Sequence, residues 1–153
     1  MKPKKKIIGR RENVSFPGLD LINIDAKIDT GAYTSSIHCK DVTATEKDGQ
    51  LQVTFTVLDE QHPQFSEKPI TCPVSRIRSV KNSFGQAEDR YCIITTIAIY
   101  NQQYDIELSL ADRSLMDYPM LLGRKAIRKR FLVDVSKLNC AQQITKPKKK
   151  QTK

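Results

Sequence analysis

The most informative segment of this sequence is AKIDTGAYTSSIHC, residues 26–39. In it, Asp29 stands between an apolar residue and a run of small residues. The flanking residues are Ile28, Thr30, Gly31 and Ala32. Asp and Gly both favour turns, so this stretch predicts a strand that ends in a tight turn. Such a turn can serve the fold alone, but it also places a carboxylate at the end of a strand, where it could have a function.

A second motif lies late in the chain, in YPMLLGRKAI, residues 118–127. Three apolar residues, Met120 to Leu122, run directly into Gly123. The basic segment that follows, residues 124–130, predicts one short helix. The motif therefore predicts a strand end, a turn and a helix in immediate succession.

Most of the remaining chain alternates between apolar and polar residues, a pattern that is typical of half-buried strands. The segment LQVTFTVL, for example, alternates Leu, Val, Phe and Val with Gln and Thr. Strands are predicted at residues 21–29, 35–39, 51–58, 91–100, 104–110 and 131–135. Many short strands with a single helix favour a sandwich or a small barrel.

The two motifs together resemble the catalytic framework of pepsin-type and retroviral aspartic proteases. In those proteins an apolar-Asp-Thr-Gly-Ala loop carries the catalytic carboxylate, and an apolar-apolar-Gly strand supports it from below. Longer blocks resemble the bacterial family often labelled ATP-dependent zinc protease, which is grouped with the retropepsin-like proteases. They are RRENVSFPGLDL, AKIDTGAYTSSIHC, RSVKNSFGQAEDRY and ELSLADRSLMDYPMLLGRKAI, ending in FLVDVSK, and they span about residues 8–136.

This resemblance implies a mainly β, retropepsin-like fold, a small closed β-barrel with one short C-terminal helix. It separates a domain at 8–140 from basic tails at 1–7 and 141–153. It also implies that Asp29 is the catalytic residue. The residues expected to support the catalytic loop are Thr30, Gly31, Ala32, Leu121, Leu122 and Gly123.

A single aspartate is not sufficient for this chemistry. An isolated exposed Asp titrates near ~3.9 and is a poor base at neutral pH. Two carboxylates within hydrogen-bonding distance do not ionise together easily, so the pair holds one proton and its charged member can activate a water molecule. Because the chain has one Asp-Thr-Gly, we expect a homodimer in which Asp29 faces the same residue of a second copy.

Two features of the sequence depart from the retroviral pattern. Retroviral proteases usually follow Asp-Thr-Gly-Ala with a second Asp, which helps to hold the substrate backbone and the Arg after the supporting Gly. Tyr33 takes that place here, so Arg124 must find another partner. The flap glycines of those enzymes are also missing, and NSFGQ at 82–86 is only a rough counterpart.

Candidate substrate-binding residues, taken from the polar positions of these blocks, are Arg90, Arg113 and Ser83. The two arginines suit an acidic substrate, because guanidinium groups pair well with carboxylates. The family resemblance also implies an acidic substrate, since members often accompany enzymes that ligate glutamate onto peptides or ribosomal proteins. The expected function is an aspartic endopeptidase that hydrolyses peptide or protein substrates, including acidic or glutamate-modified ones.

The net charge of +9 is concentrated at the two ends of the chain. Residues 1–12 and 146–153 together carry +10, so the residues between them carry −1. Lysine-rich arms attract RNA or ribosomes weakly through counterion release, or serve only as solvated tails. These arms leave open an alternative function, a non-catalytic dimeric β-barrel that binds acidic peptides or ribosomal partners.

A metal-dependent peptidase, as the family label suggests, is a third interpretation. The two histidines form no HExxH pattern and the four cysteines are far apart, so no metal site is expected. No P-loop is present, so no nucleotide or other cofactor is expected either. His38 is expected to be a hydrogen-bonded structural residue near the Asp29 loop.

No membrane contact is expected, because no apolar run approaches the ~20 residues that a spanning helix needs. The charged N-terminus is not followed by an apolar stretch, so a secretory signal is not expected and the cytoplasm is the expected compartment.

Overall fold

The computed structural model describes residues 4–81, 84–113 and 117–141. The strands of this part of the chain are β1 (Lys6–Ile8), β2 (Arg11–Phe16), β3 (Leu21–Ile28), β4 (Ser35–Lys47), β5 (Gln50–Val57), β6 (Ile70–Pro73), β7 (Arg76–Lys81), β8 (Ala87–Ile99), β9 (Gln102–Ala111), β10 (Met120–Leu122) and β11 (Phe131–Val133). Two short helical segments accompany them, a 3₁₀ turn at Pro17–Leu19 and the α-helix α1 at Arg124–Ile127. Neither segment comes close to the length of a membrane-crossing helix, and no such helix occurs in the described ranges.

Six strands form a closed ring of backbone pairing, in the order β10, β3, β2, β8, β9, β4 and back to β10. The short strand β10 closes the ring, because it pairs in parallel with β3 on one side and antiparallel with β4 on the other. Outside the ring, β5 pairs with the second half of β4, β6 with β5, and β7 with the first half of β8. The expected mainly β fold with one short helix is confirmed.

The apolar core follows from the alternation of side chains along each strand. In β2, for example, Glu12, Val14 and Phe16 are buried and the residues between them are partly exposed. The largest apolar side chains that are fully buried are Phe16, Phe55, Ile8, Ile24, Ile37, Leu58, Ile93, Ile97, Leu108, Met120 and Leu122. Burying one such side chain contributes roughly 1.5–3 kcal/mol relative to leaving it in water.

Several elements differ in length from the prediction, β4 and α1 among them. A strand was predicted at 35–39, but β4 runs for 13 residues, because a bulge between Lys40 and Thr43 lets it continue beyond the ring as the partner of β5. A helix was predicted at 124–130, but α1 ends at Ile127. Arg128 adopts an extended conformation (φ −58°, ψ 146°), and Lys129 has a left-handed φ of 69°.

A buried carboxylate in β2 connects this strand to the backbone at residues 140–141. Glu12 is fully buried, and its side-chain oxygens accept hydrogen bonds from the backbone N–H groups of Gly9 (2.7 Å), Cys140 (2.9 Å) and Ala141 (2.9 Å). Three donors satisfy a charge that would otherwise be costly to bury. The backbone at Cys140 and Ala141 is therefore fastened to β2.

The strands β1 and β11 form a separate parallel pair, in which Lys6 aligns with Phe131 and Ile8 with Val133. The strand β1 begins within residues 1–7, which were expected to form a basic tail. Ordered backbone pairing therefore extends into the lysine-rich N-terminal region.

Candidate active site

The Asp29 loop begins where β3 ends and is fixed by hydrogen bonds on both sides of the aspartate. The Asp29 N–H donates to the carbonyl of Leu122 (2.9 Å), and the Asp29 carbonyl accepts from the N–H of Ala32 (3.2 Å). The carboxylate oxygen Oδ1 accepts from the N–H of Gly31 (2.9 Å), which sets the direction of the side chain. Asp29 is partly exposed, and Thr30 and Gly31 are exposed.

The strand β10 lies between the two strands that flank this loop. Leu122 aligns with Ile28 of β3, and Leu121 aligns with Ser36 of β4. Leu122 is fully buried and Leu121 is partly buried, so one side chain of this pair packs into the core below the loop. The structure thus brings together the Asp29 motif and the motif that ends at Gly123.

Gly123 is required by close packing and not by backbone conformation. Its φ of −94° and ψ of 176° are open to any residue. A Cβ atom at this position would lie 2.7 Å from the carbonyl oxygen of Tyr33 and 3.0 Å from that of Ala32. The Gly123 N–H donates to the buried hydroxyl of Ser35 (3.0 Å), so the chain after β10 is pressed against the Asp29 loop.

The start of α1 also holds the loop through its backbone. The N–H of Arg124 donates to the carbonyl of Ala32 (2.8 Å), and the N–H of Lys125 donates to the carbonyl of Tyr33 (3.0 Å). These bonds use N–H groups at a helix N-terminus, which lack partners within the helix. The loop is therefore attached to β10, to Gly123 and to α1.

Arg124 has other partners in place of the second Asp of the retroviral pattern. Its guanidinium donates to the carbonyl of Thr30 (2.9 Å) and lies over the ring of Tyr33, 5.7 Å from the centroid. Lys125 and Arg128 approach the same ring at 6.0 and 5.8 Å. Tyr33 therefore replaces a carboxylate with an aromatic ring that attracts three cations.

Arg113 lies in the surroundings of Asp29, and Arg90 lies near Arg113. Burial lowers the pKa of the Arg113 guanidinium, the charge of Arg90 lowers it further, and the charge of Asp29 opposes both effects. The Arg113 side chain donates to the carbonyl of Tyr118 (3.2 Å) and to the hydroxyl of Ser36 (3.4 Å). Arg113 therefore lies close enough to both Arg90 and Asp29 to feel their charges.

Arg90 forms an ion pair with Glu88, with 3.1 Å between Nε and Oε2. It also lines a cleft of about 660 Å³. The other lining residues are His38, Cys39, Lys40, Asp41, Val42, Asp59, Glu60, Gln61, Glu88, Asp89, Tyr91, Leu110, Ala111 and Asp112. Asp29 is not among them. The third substrate-binding candidate, Ser83, lies outside the described residues.

His38 is buried in β4, and each ring nitrogen has a partner. Nε2 lies 2.7 Å from Oδ2 of Asp59, and Nδ1 accepts from the backbone N–H of Arg113 (2.8 Å). A ring engaged in this way does not suit zinc, because neither nitrogen is available as a ligand. Among the described residues, no three His, Cys, Asp or Glu side chains come together in a group that could hold a metal ion.

Two residues of this region carry no distinguishing signal in the sequence. Asp59 follows β5 in a polar stretch that resembles an ordinary loop. Glu107 lies on the polar side of an alternating strand, yet its side chain is only 6% exposed. Its carboxylate accepts from Arg76 at 2.7 and 3.1 Å and from Lys125 at 3.3 Å.

The Glu107 cluster joins three elements around the Asp29 loop. Arg76 is the first residue of β7 and also donates to the hydroxyl of Thr34, which follows Tyr33 in the loop (3.4 Å). Lys125 belongs to α1. The Arg76 hydrogen bond, supported by Lys125, holds the pKa of the Glu107 carboxyl below its usual value. A single carboxylate therefore connects β7, β9 and α1 beside the loop.

This chain is similar to part of several longer curated proteins. The probable alpha-L-glutamate ligase of Desulfotalea psychrophila is 40% identical over 141 residues, which are 90% of this chain and 29% of that protein. The protein of the same name from Shewanella pealeana is 39% identical over 144 residues, covering 92% of this chain and 31% of that protein. The chain therefore spans about three-tenths of the length of these curated relatives.

A solved structure and a family model complete the comparison. A Legionella pneumophila protein of unknown function shares the fold with a TM-score of 0.71 and 26% identity, covering 90% of this chain and 99% of that one. The family model named RimB-like, described as retropepsin-like aspartic endopeptidase RimB, matches residues 7–143. The predicted retropepsin-like relationship is confirmed, and the chain belongs to the RimB-like family of retropepsin-like aspartic endopeptidases.

Proposed function

We propose that this protein is an aspartic endopeptidase whose catalytic pair is formed by Asp29 of two copies. The observation that carries the proposal is the anchoring of the Asp29 loop. Leu122 fixes the backbone of Asp29, Gly31 orients its carboxylate, and Arg124 fastens the carbonyl of Thr30. Such a loop holds a carboxylate in one place and leaves the exposed Thr30–Gly31 edge available to a second copy.

The chemistry requires the two carboxylates to share one proton. At short separation the second ionisation is suppressed, so one Asp29 is charged and the other is protonated. The charged carboxylate takes a proton from a bound water, which attacks the peptide carbonyl while the protonated carboxyl donates to the carbonyl oxygen. The two pKa values belong to the pair as a unit, so the activity should follow a bell-shaped pH profile with an optimum below neutral.

We further propose that the substrates are acidic peptides, including peptides that end in glutamate. Arg113 lies within electrostatic range of Asp29, Arg90 lies within electrostatic range of Arg113, and both guanidinium groups are suited to carboxylates. The relatives named probable alpha-L-glutamate ligase contain a region similar to this chain, which supports a substrate bearing added glutamates. Arg124 and its neighbours around Tyr33 add positive charge beside the same loop.

The decisive experiment compares wild type with Asp29→Asn on a proteome-derived peptide library, with cleavage sites read by mass spectrometry. We expect wild type to cleave, with sites enriched near acidic residues and with inhibition by pepstatin. Asp29→Asn should abolish cleavage because an amide neither shares the proton nor activates water. Asp48→Asn is the matched control, because Asp48 is exposed in the β4–β5 turn and has a φ of 55° that Asn tolerates.

The same assay separates the other candidate functions. Acidic-peptide binding that persists in Asp29→Asn, with no cleavage by wild type, would favour a non-catalytic dimeric β-barrel that binds peptides. Cleavage that persists in Asp29→Asn and is lost with a chelator would favour a metal-dependent peptidase. Binding to RNA or ribosomes that falls steeply with salt would assign that contact to the lysine-rich tails.

A further inference from the structure

The imidazole of His38 links a carboxylate to the backbone of Arg113. The N–H of Arg113 donates to Nδ1 at 2.8 Å, so Nδ1 carries no proton in this arrangement. Nε2 then carries the proton and donates to Oδ2 of Asp59 at 2.7 Å. The contacts therefore select one tautomer of a neutral histidine.

Asp59 is held in turn by its own surroundings. Its Oδ1 accepts from the backbone N–H of Gln61 at 3.0 Å, and this bond, with the one from His38, keeps the pKa of the Asp59 carboxyl below its usual value. A charged carboxylate accepts from Nε2–H more strongly than a neutral acceptor does. Asp59 thus keeps Nδ1 bare and available to Arg113.

The consequence for Arg113 is a fixed backbone just beyond the end of β9. Ala111 pairs with His38 at the end of the β4–β9 ladder, and Arg113 lies two residues beyond this pair. The hydrogen bond from the Arg113 N–H to Nδ1 of His38 takes the place of a ladder hydrogen bond. It fixes the backbone from which the Arg113 side chain extends. From there the guanidinium reaches Tyr118 and Ser36, within electrostatic range of Asp29.

We propose that His38 and Asp59 are positioning residues for the Asp29 site, because together they hold Arg113 where its guanidinium receives an acidic group of the substrate. The proposal rests on the proposed function and extends it, since it names the device that sets the specificity. It assigns a role in binding to two residues that do not touch the reacting atoms. Their effect should be transmitted through Arg113 alone.

Two replacements of His38 separate this role from a general loss of packing. In His38→Asn the amide oxygen can occupy the place of Nδ1 and accept from Arg113, but the contact with Asp59 is lost. In His38→Gln the amide can reach Asp59, but the acceptor near Arg113 is lost. Both variants remove the ring, and Asn leaves the larger void, so packing alone predicts that His38→Asn is the more damaging variant.

The first measurement is binding of tetraglutamate by calorimetry, with tetraglutamine as the neutral control peptide. We expect His38→Gln to weaken binding about tenfold or more, as loss of a hydrogen bond that positions a charged group does, and His38→Asn to retain binding within about threefold. His62→Gln should leave binding unchanged, since Nδ1 of His62 serves only the local turn at Gln64.

A double-variant cycle tests whether His38 acts through Arg113. Arg113→Gln should weaken tetraglutamate binding, and adding His38→Gln to it should cause no further loss. Additive losses, or equal binding by His38→Asn and His38→Gln, would overturn the proposal. Thermal unfolding midpoints of all variants identify any loss that comes from unfolding.

A spectroscopic measurement gives a result that does not depend on activity. Nitrogen-15 NMR of the His38 ring should show a protonated Nε2 and a bare Nδ1, and the Arg113 amide should exchange slowly in wild type and faster in His38→Gln. The opposite tautomer would overturn the proposal. If these results hold and wild type cleaves no peptide, then the peptidase assignment fails and the positioning of Arg113 stands.

Discussion

At the scale of single residues, the site depends on a few close approaches that tolerate no additional atoms. Asp29 supplies the carboxylate, and Gly123 determines how near the supporting chain can come to the loop that carries it. A side chain at Gly123 would meet backbone atoms of Tyr33 and Ala32, which cannot rotate away. This position therefore links the geometry of the site directly to stability.

Replacing Gly123 by Ala should destabilise the fold by about 1–3 kcal/mol, the range expected when extra atoms are forced into a packed region. The measurement is urea unfolding followed by circular dichroism. Gly18→Ala is the control, since a Cβ at Gly18 would make an ordinary contact of 3.5 Å with the hydroxyl of Thr95. Equal stabilities of the two variants would contradict this account of Gly123.

At the scale of secondary-structure elements, the Glu107 cluster holds β7 and α1 in place around the Asp29 loop. Arg76 begins β7, and β7 pairs with β8 from Arg76–Cys92 to Lys81–Ala87. The base of this hairpin is therefore tied to β9 by an ion pair, and Lys125 ties α1 to the same carboxylate. The three elements should loosen together when this carboxylate is removed.

Glu107→Gln should lower the free energy of unfolding by about 1–3 kcal/mol at pH 7, because it leaves hydrogen bonds to two cations unmade or weakened. The pH dependence has a defined sign. The pKa of Glu107 is lowered in the folded state from its ordinary value of 4.5, so its contribution is complete above about pH 4.5 and is lost as the pH falls through the lower folded-state pKa.

The stability difference between wild type and Glu107→Gln should therefore shrink between pH 7 and pH 3. Urea unfolding at a series of pH values measures this difference. Glu46→Gln serves as the control, because Glu46 is exposed at the far end of β4. A difference that is constant across the series would show that the carboxylate charge is not the stabilising feature.

At the scale of the whole molecule, the proposed activity belongs to a pair of chains. If each active site takes one Asp29 from each copy, then a mixed dimer of wild type and Asp29→Asn contains no active pair. Random exchange at equal amounts leaves one quarter of the dimers fully wild type. The cleavage rate of a fixed amount of wild type should therefore fall to about half after exchange with the variant.

This mixing experiment is read by the rate of peptide cleavage before and after exchange. Specific activity should also rise with protein concentration, since dilution separates the copies. Sedimentation measurements over the same concentration range report the association itself. An undiminished rate after complete exchange, or activity from a strictly monomeric protein, would contradict the shared site.

The sequence alone determined the family, the mainly β fold and the pairing of the Asp29 loop with the motif that ends at Gly123. These features are local: period-two alternation specifies strands, and short runs of small or apolar residues specify the loop and its support. The longer β4 and the shorter α1 were missed, because a bulge and a left-handed residue at Lys129 depend on neighbouring strands.

Only the tertiary structure decided which distant polar groups meet. Glu12, Asp59 and Glu107 look like ordinary polar residues of strands and loops, yet Glu12 binds the backbone near Cys140, Asp59 holds His38, and Glu107 joins β7 to α1. Contacts of this kind follow from how the ring of strands closes. Long-range closure is set by packing of the whole chain, and no local pattern of residues encodes it.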